Sequence, residues 1–252
     1  MLPIPDDKRF QELDDDGFQF ACHPDVACFN QCCRGLKLFL TPYDVLRLKN
    51  RLGLSSDEFI DRHTMIRPGQ NGWPQPLLKM TDTYERTCPF VSDQGCTVYD
   101  DRPGACRSYP LGRGARGGQA GGSQEELFFL VREDHCQGFE QGPHWSPQTW
   151  SADQGLEEYN QINDLFLPLI TRPPKLVPPP AARKMAEMFF LATYNLDLFG
   201  RMVRESDLLK RFQVPPQRVQ AMLQDEVELM KFGFDWLGFT IFGDRTLTPT
   251  TG

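Results

Sequence analysis

The chain has 252 residues and a formal net charge of −7, from 27 Lys and Arg against 34 Asp and Glu, with a pI of about 5.2. This length buries a full core without cross-links, and an acidic surface disfavours general binding to nucleic-acid backbones or anionic membranes. Eight cysteines remain to be explained.

The N-terminal run Met1-Leu-Pro-Ile-Pro-Asp-Asp is acidic where a signal peptide needs positive charge. The best apolar run, Met188–Tyr194, is far shorter than the roughly 20 residues of a membrane span. The chain therefore reads as a cytoplasmic protein with no membrane span and no nucleic-acid partner; a protein partner is left open. Thr41-Pro42-Tyr43-Asp44 predicts a helix start with Thr41 as N-cap, ended by Gly53. Ser55-Ser56-Asp57-Glu58 opens a second helix with Phe59 and Ile60 inward. A Pro/Gly-rich loop over Arg67–Pro76 leads to a strand at Leu77–Met80, and Thr97-Val98-Tyr99 suggests extended structure. Gly112–Ser123 reads as a flexible linker, with a local basic patch conceivable around Arg113 and Arg116.

Leu127-Phe-Phe-Leu-Val131 is short, apolar and bounded by turn formers, which predicts a strand paired with Leu77–Met80. Helical spacing then predicts three helices, Ser151–Leu169, Ala181–Arg204 and Pro215–Phe232, with the stiff connector Arg172–Pro180 after the first. Met185, Met188, Phe189 and Phe190 read as core rather than a cofactor pocket. The expected fold class is α+β. An irregular cysteine-rich lobe with a small antiparallel sheet and short helices spans 1–148, and a mainly helical extension over 149–252 packs on it.

The cysteines fall into three groups: Cys22, Cys28, Cys32 and Cys33; Cys88, Cys96 and Cys106; and Cys136. In a reducing compartment such clusters are metal ligands or redox groups more often than disulfides, and a disulfide framework is the competing reading. Soft thiolates select zinc, copper(I) or iron–sulfur clusters, and four suffice for one tetrahedral zinc or one cubane. Eight make two sites, or one site with spare thiols. No C-x2-C pair is present, which argues against a zinc finger. At the vicinal Cys32-Cys33, either the backbone turns sharply or the two thiols serve different atoms or sites. Arg34, Arg102 and Arg107 lie beside cysteines and are candidates to donate charge-assisted hydrogen bonds around a negatively charged centre. His23 and His135 adjoin cysteines, His63 and His144 do not, and beside eight thiols all four read as bystanders.

Together these groups resemble the YkgJ family, described as a zinc- or iron-chelating domain with a CxxCxxCC signature. The resemblance rests on Cys22, Cys28 and Cys32-Cys33, then Cys88-Pro-Phe, Gly95-Cys96-Thr-Val-Tyr, Arg102-Pro103, Cys106-Arg107-Ser-Tyr-Pro, and Cys136-Gln-Gly-Phe. Gaps of five and three residues stand where the signature has two and two. The resemblance implies metal chelation by all eight cysteines, with Arg102 and Arg107 outside the ligands. An iron–sulfur cluster, as 4Fe–4S, is preferred to zinc or iron ions, in a structural, carrier or redox role. Flagellin lysine-N-methylases carry a similar cysteine domain, which implies the alternative of a cluster-dependent, S-adenosylmethionine-dependent protein methyltransferase.

Overall fold

The computed structural model describes residues 7–13, 17–116 and 125–250. Along the chain the elements are β1 (Phe10–Glu12), β2 (Phe18–Phe20), α1 (Pro42–Leu52), α2 (Ser56–His63), β3 (Thr64–Pro68), β4 (Pro74–Leu78), β5 (Val91–Ser92), β6 (Gly95–Cys96) and α3 (Gly104–Ser108). There follow β7 (Leu111–Arg116), β8 (Glu125–Val131), β9 (Phe139–Trp145), α4 (Pro147–Asp153), α5 (Glu157–Ile170), α6 (Pro179–Tyr194), α7 (Leu196–Glu205), α8 (Pro216–Gln224) and α9 (Glu226–Leu237). The fold is α+β, with small antiparallel sheets. No helix among the described residues is long and apolar enough to cross a membrane.

Two compact units divide the chain. One holds the described residues up to Leu38 together with Lys79–Asp164, and the other holds Phe39–Leu78 and the described residues from Leu165 onward. The line differs from the expected division at 148/149, because α1, α2 and the β3–β4 hairpin group with the C-terminal helices. Inside that second unit, Trp73 stacks on Phe189 at 4.3 Å, and its indole N–H donates to the Arg172 carbonyl at 2.7 Å. Lys49, buried on α1, donates to Glu226 Oε1 at 2.5 Å. Phe59, Phe189, Phe199, Met230 and Phe232 are fully enclosed, so Phe189 is core as expected.

Caps explain where the helices begin and break. Thr41 and Ser55 each close a capping box, with Asp44 and Glu58 reaching back. The three long helical patterns are each two helices. Gly155, in the left-handed region at φ 60°, separates α4 from α5. Asn195 accepts from the Leu198 N–H between α6 and α7, and Asp225 accepts from the Val227 and Glu228 N–H groups between α8 and α9. A side chain that caps a new helix ends the pattern before it. Along α5, Tyr159, Ile162 and Phe166 are buried as the spacing predicts, whereas Leu165 is exposed.

The first unit contains a three-stranded sheet in the order β1-β8-β7, a β2–β9 ribbon and the β5–β6 hairpin. The predicted strand at Leu127–Val131 is present within β8, but its partners are β1 and β7. The predicted strand at Leu77–Met80 falls at β4, and β4 pairs with β3. Closing the short turn between those two costs far less chain entropy than a distant pairing, and the same pairing replaces half of the loop expected over Arg67–Pro76. Residues 112–116 of the expected linker are strand β7; 117–124 lie outside the described residues. Gly112 serves packing, since a Cβ there would collide with the Phe129 ring across the sheet. Thr97-Val98 is a turn running into a 3-10 turn at Tyr99–Asp101 rather than extended chain.

The core of this unit is Phe18, Phe20, Leu111, Trp150 and Leu156, with Tyr109, Cys136, Phe139 and Trp145 packed against it. Phe20 meets Phe139 and Trp150 edge-on at 5.4 and 5.7 Å. The Trp145 and Trp150 indoles donate to the Phe20 and Ser108 carbonyls, so neither buries an unsatisfied N–H. Phe20→Ala, two residues before Cys22, is expected to destabilise the protein by about 3–5 kcal/mol, read from denaturant unfolding; a loss below about 1 kcal/mol would contradict this account of the core.

Candidate metal centre

All eight cysteines lie in the first unit, and no disulfide joins any of them. Residues 22–33 form no regular element but a succession of tight turns. Val26 donates to the His23 carbonyl, Phe29 to Val26, Gln31 to Cys28 and Cys33 to Asn30, at 2.8–3.2 Å. Asn30 is left-handed, at φ 65°, and opens the 3-10 turn Gln31–Cys33. Asparagine tolerates that conformation, and its side chain donates to the Ser92 carbonyl at 3.0 Å, tying the turn to β5. Of the two arrangements open for the vicinal pair, the backbone does turn sharply. In a 3-10 turn of three residues per repeat, neighbouring side chains diverge by about a third of a circle.

Backbone hydrogen bonds bring the other groups in. The Cys88 N–H donates to the Cys33 carbonyl at 2.7 Å, beside an Arg34–Thr87 bridge. Cys88 then accepts from Val91, and Val91 pairs with Cys96 across the β5–β6 hairpin. Cys106 lies on α3. From the third group, the Gln137 N–H donates to the Cys28 sulfur at 3.1 Å, and Ala21 donates to the Gly138 carbonyl at 3.0 Å. Among the described residues, no three His, Cys, Asp or Glu side chains close into an ion-holding group. The segments converge, rather than a finished ligand cage.

Electrostatics show how near the thiols are. Burial raises the Cys22 thiol to about 11, with the charges of Cys32, Cys28 and Cys136 adding to it. The Cys32 sulfur accepts from the Cys33 thiol, which lowers Cys32 to about 7 and raises Cys33; Cys32, Cys88 and Cys106 raise Cys33 further. Burial raises Cys88 and Cys96, opposed in each case by a backbone N–H two residues on, from Phe90 and Val98. An N–H aimed at sulfur favours thiolate, the form that binds metal. The chemistry of this donor set suits a thiophilic metal.

The arginines divide. Arg34 is exposed and pairs with Glu85 at 2.6 Å. Arg102 and Arg107 are buried, each 8% exposed. Arg102 donates to the Tyr99 carbonyl and the Gln154 side chain, and Arg107 to the Gln154 and Asp100 carbonyls. Their cationic planes lie over Tyr99 and Tyr159 at 3.8 and 4.9 Å. The Arg102 charge partly opposes the burial that raises Cys96, and Arg107 Nε is buried without an acceptor. Two buried cations thus stand beside a concentration of sulfur. Arg113, where a local basic patch was left open, is neutralised by Glu126 and Asp164. His23 is half-exposed beside Asp25, and His135 is exposed.

Sequence reasoning missed Asn30, Gln154 and Tyr109. Asn30 had a signal, a residue able to turn left-handed just before the vicinal pair. Gln154, which receives both arginines, had none. The Tyr109 hydroxyl is buried beside Cys136 outside good hydrogen-bond geometry, and burial with that thiol pushes its ionisation upward.

Arg107→Met should cost about 2 kcal/mol or more, because the Asp100 and Gln154 carbonyls lose a charged donor. Arg34→Ala, at an exposed pair, should cost less than about 0.5 kcal/mol. Denaturant unfolding of the two variants tests the division; equal losses would contradict it.

No curated protein and no solved structure gives a significant match to the chain. Residues 21–137 match the model of the CxxCxxCC family, described as "Putative zinc- or iron-chelating domain". That segment contains all eight cysteines, and the match bears out the resemblance read from their motifs.

Proposed function

We propose that the protein holds an iron–sulfur cluster, as 4Fe–4S, through its cysteines, in a structural, carrier or electron-transfer role. The observation that carries this reading is the gathering of thiols from three distant segments into one unit, with backbone N–H groups directed at Cys28, Cys88 and Cys96. Soft thiolates exclude hard cations. Zinc-finger and ribbon sites use C-x2-C pairs, and this chain has none. A vicinal pair suits a polynuclear centre, because two adjoining thiols can attach to different metal atoms. Arg102 and Arg107 supply positive charge near a centre that is negative overall. When bound, the cluster supplies a one-electron couple or a rigid cross-link; the chain supplies ligands, sulfur-directed N–H groups and buried cations. A reducing, cytoplasmic setting keeps the thiols available.

Anaerobic purification followed by iron, zinc and acid-labile sulfide analysis tests this. The expected result is a coloured protein with iron and sulfide in equal amounts; colourless protein with stoichiometric zinc and no sulfide overturns the cluster. Cys33→Ser or Cys106→Ser should lower metal content, and unchanged stoichiometry in both would overturn the ligand assignment.

A further inference from the structure

A cavity of about 420 Å³ lies in the second unit, between the last turns of α5, helices α8 and α9, and the chain that follows α9. We infer that it is a binding site for a free α-amino acid with a large apolar side chain. The site involves none of the cysteines.

Its apolar side comes from α5 and α9. Leu165, which helical spacing places in the core, is instead 50% exposed, and it opens onto this cavity. Leu169 and Phe234 are buried behind it. A ligand side chain lying on Leu165 removes both apolar surfaces from water.

One polar wall is rigid. Arg172 Nε donates to the Pro168 carbonyl at 2.6 Å, and its two terminal nitrogens donate to the Asp244 carboxylate at 2.9 and 2.8 Å. The guanidinium plane also lies over the Phe242 ring at 3.8 Å. A π-helical turn at Gly238–Phe242 brings Asp244 to this place, and the Asp244 N–H donates to the Gly238 carbonyl at 3.0 Å. Such turns are rare and recur at functional sites. A Cβ at position 238 would stand 3.2 Å from the Asp244 carboxylate, so glycine permits the close approach. Held on every side, Arg172 shapes the cavity and leaves ligand binding to the other wall.

That wall carries two looser pairs. Arg218 of α8 donates to Asp235 at 2.5 Å, and Lys231 donates to Glu228 at 2.7 Å. Glu228, Lys231 and Asp235 follow one another at helical spacing along one face of α9. All four side chains are 32–38% exposed, so a molecule in the cavity reaches them. Each bond uses a single donor of a cation that carries several, and one oxygen of a carboxylate that carries two. The lining as a whole is neutral, with Arg172, Arg218 and Lys231 against Glu228, Asp235 and Asp244. A simple anion or cation would meet a like charge beside each opposite one. A zwitterion answers both: its carboxylate suits Arg218 and Lys231, and its ammonium suits Asp235 and Glu228. The volume falls within the range of small-molecule sites.

Titration calorimetry on the full-length protein tests this with L-leucine, N-acetyl-L-leucine, L-leucinamide and glycine. Leucine should bind, and the three analogues, lacking the ammonium, the carboxylate and the side chain respectively, should each bind about tenfold or more weakly. Arg218→Ala should weaken leucine binding by a similar factor and leave the thermal midpoint without ligand unchanged, because the pair it removes is solvent-exposed. Lys231→Met serves in its place if Arg218→Ala does not fold. No heat from leucine up to about 10 mM overturns the site. Equal binding of leucine and both blocked analogues overturns the zwitterionic class, and variants that bind leucine like the wild type overturn the location. These readouts do not depend on whether the cysteines hold metal.

Discussion

The bond from the Cys88 N–H to the Cys33 carbonyl is the contact on which the arrangement of the cysteines depends. It joins a loop of tight turns with no regular structure to the β5–β6 hairpin, and every other approach of the second group follows from it. Its counterpart is the Gln137 N–H on the Cys28 sulfur, which holds the third segment to the first. Each bond alone is worth roughly 1 kcal/mol, far less than the entropy of closing the long chain segments between them. The aromatic core around Phe20 and Trp150 supplies the remainder, since β2 and β9 lead directly into the Cys22 and Cys136 segments. A core behind and a metal in front would then act on the same loops from two sides, so that binding and ordering are coupled.

The second constraint is charge. Thiolates crowded together repel, and the chain as a whole is acidic, with a net charge of −7. Compensation has to be local. Arg102 and Arg107 would provide it at a cost in desolvation, offset by four backbone or side-chain acceptors and two aromatic faces. The Arg102 charge favours the Cys96 thiolate, while its hydrogen bonds go to the Tyr99 carbonyl and the Gln154 side chain. The two arginines also hold Asp100, Tyr99 and Gln154 in place around α3.

How much of this the sequence carried depended on range. Thr41 and Ser55 were readable as caps because their partners, Asp44 and Glu58, lie three residues away. The cysteine groups were readable as candidate ligands because their chemistry is written in residue type, and the motifs linked the three segments. Asn195, Asp225 and Gly155 were hidden within long apolar patterns, where one polar residue or glycine reads as a surface position rather than a break. The partners of β8 could not be read, since Leu127–Val131 is compatible with any apolar neighbour, and register is set by tertiary context. Glycine at 112 suggested a flexible chain, yet its reason is the Phe129 ring across the sheet. Gln154, distant in sequence from both arginines, left no local trace at all.

The central claim is that sulfur from these converging segments, and nothing else, binds the metal. X-ray absorption at the edge of the metal found in anaerobically purified protein reads the ligand atoms directly. The account predicts a first shell of sulfur alone, at about 2.3 Å. A shell containing nitrogen or oxygen, from histidine or carboxylate, would contradict it.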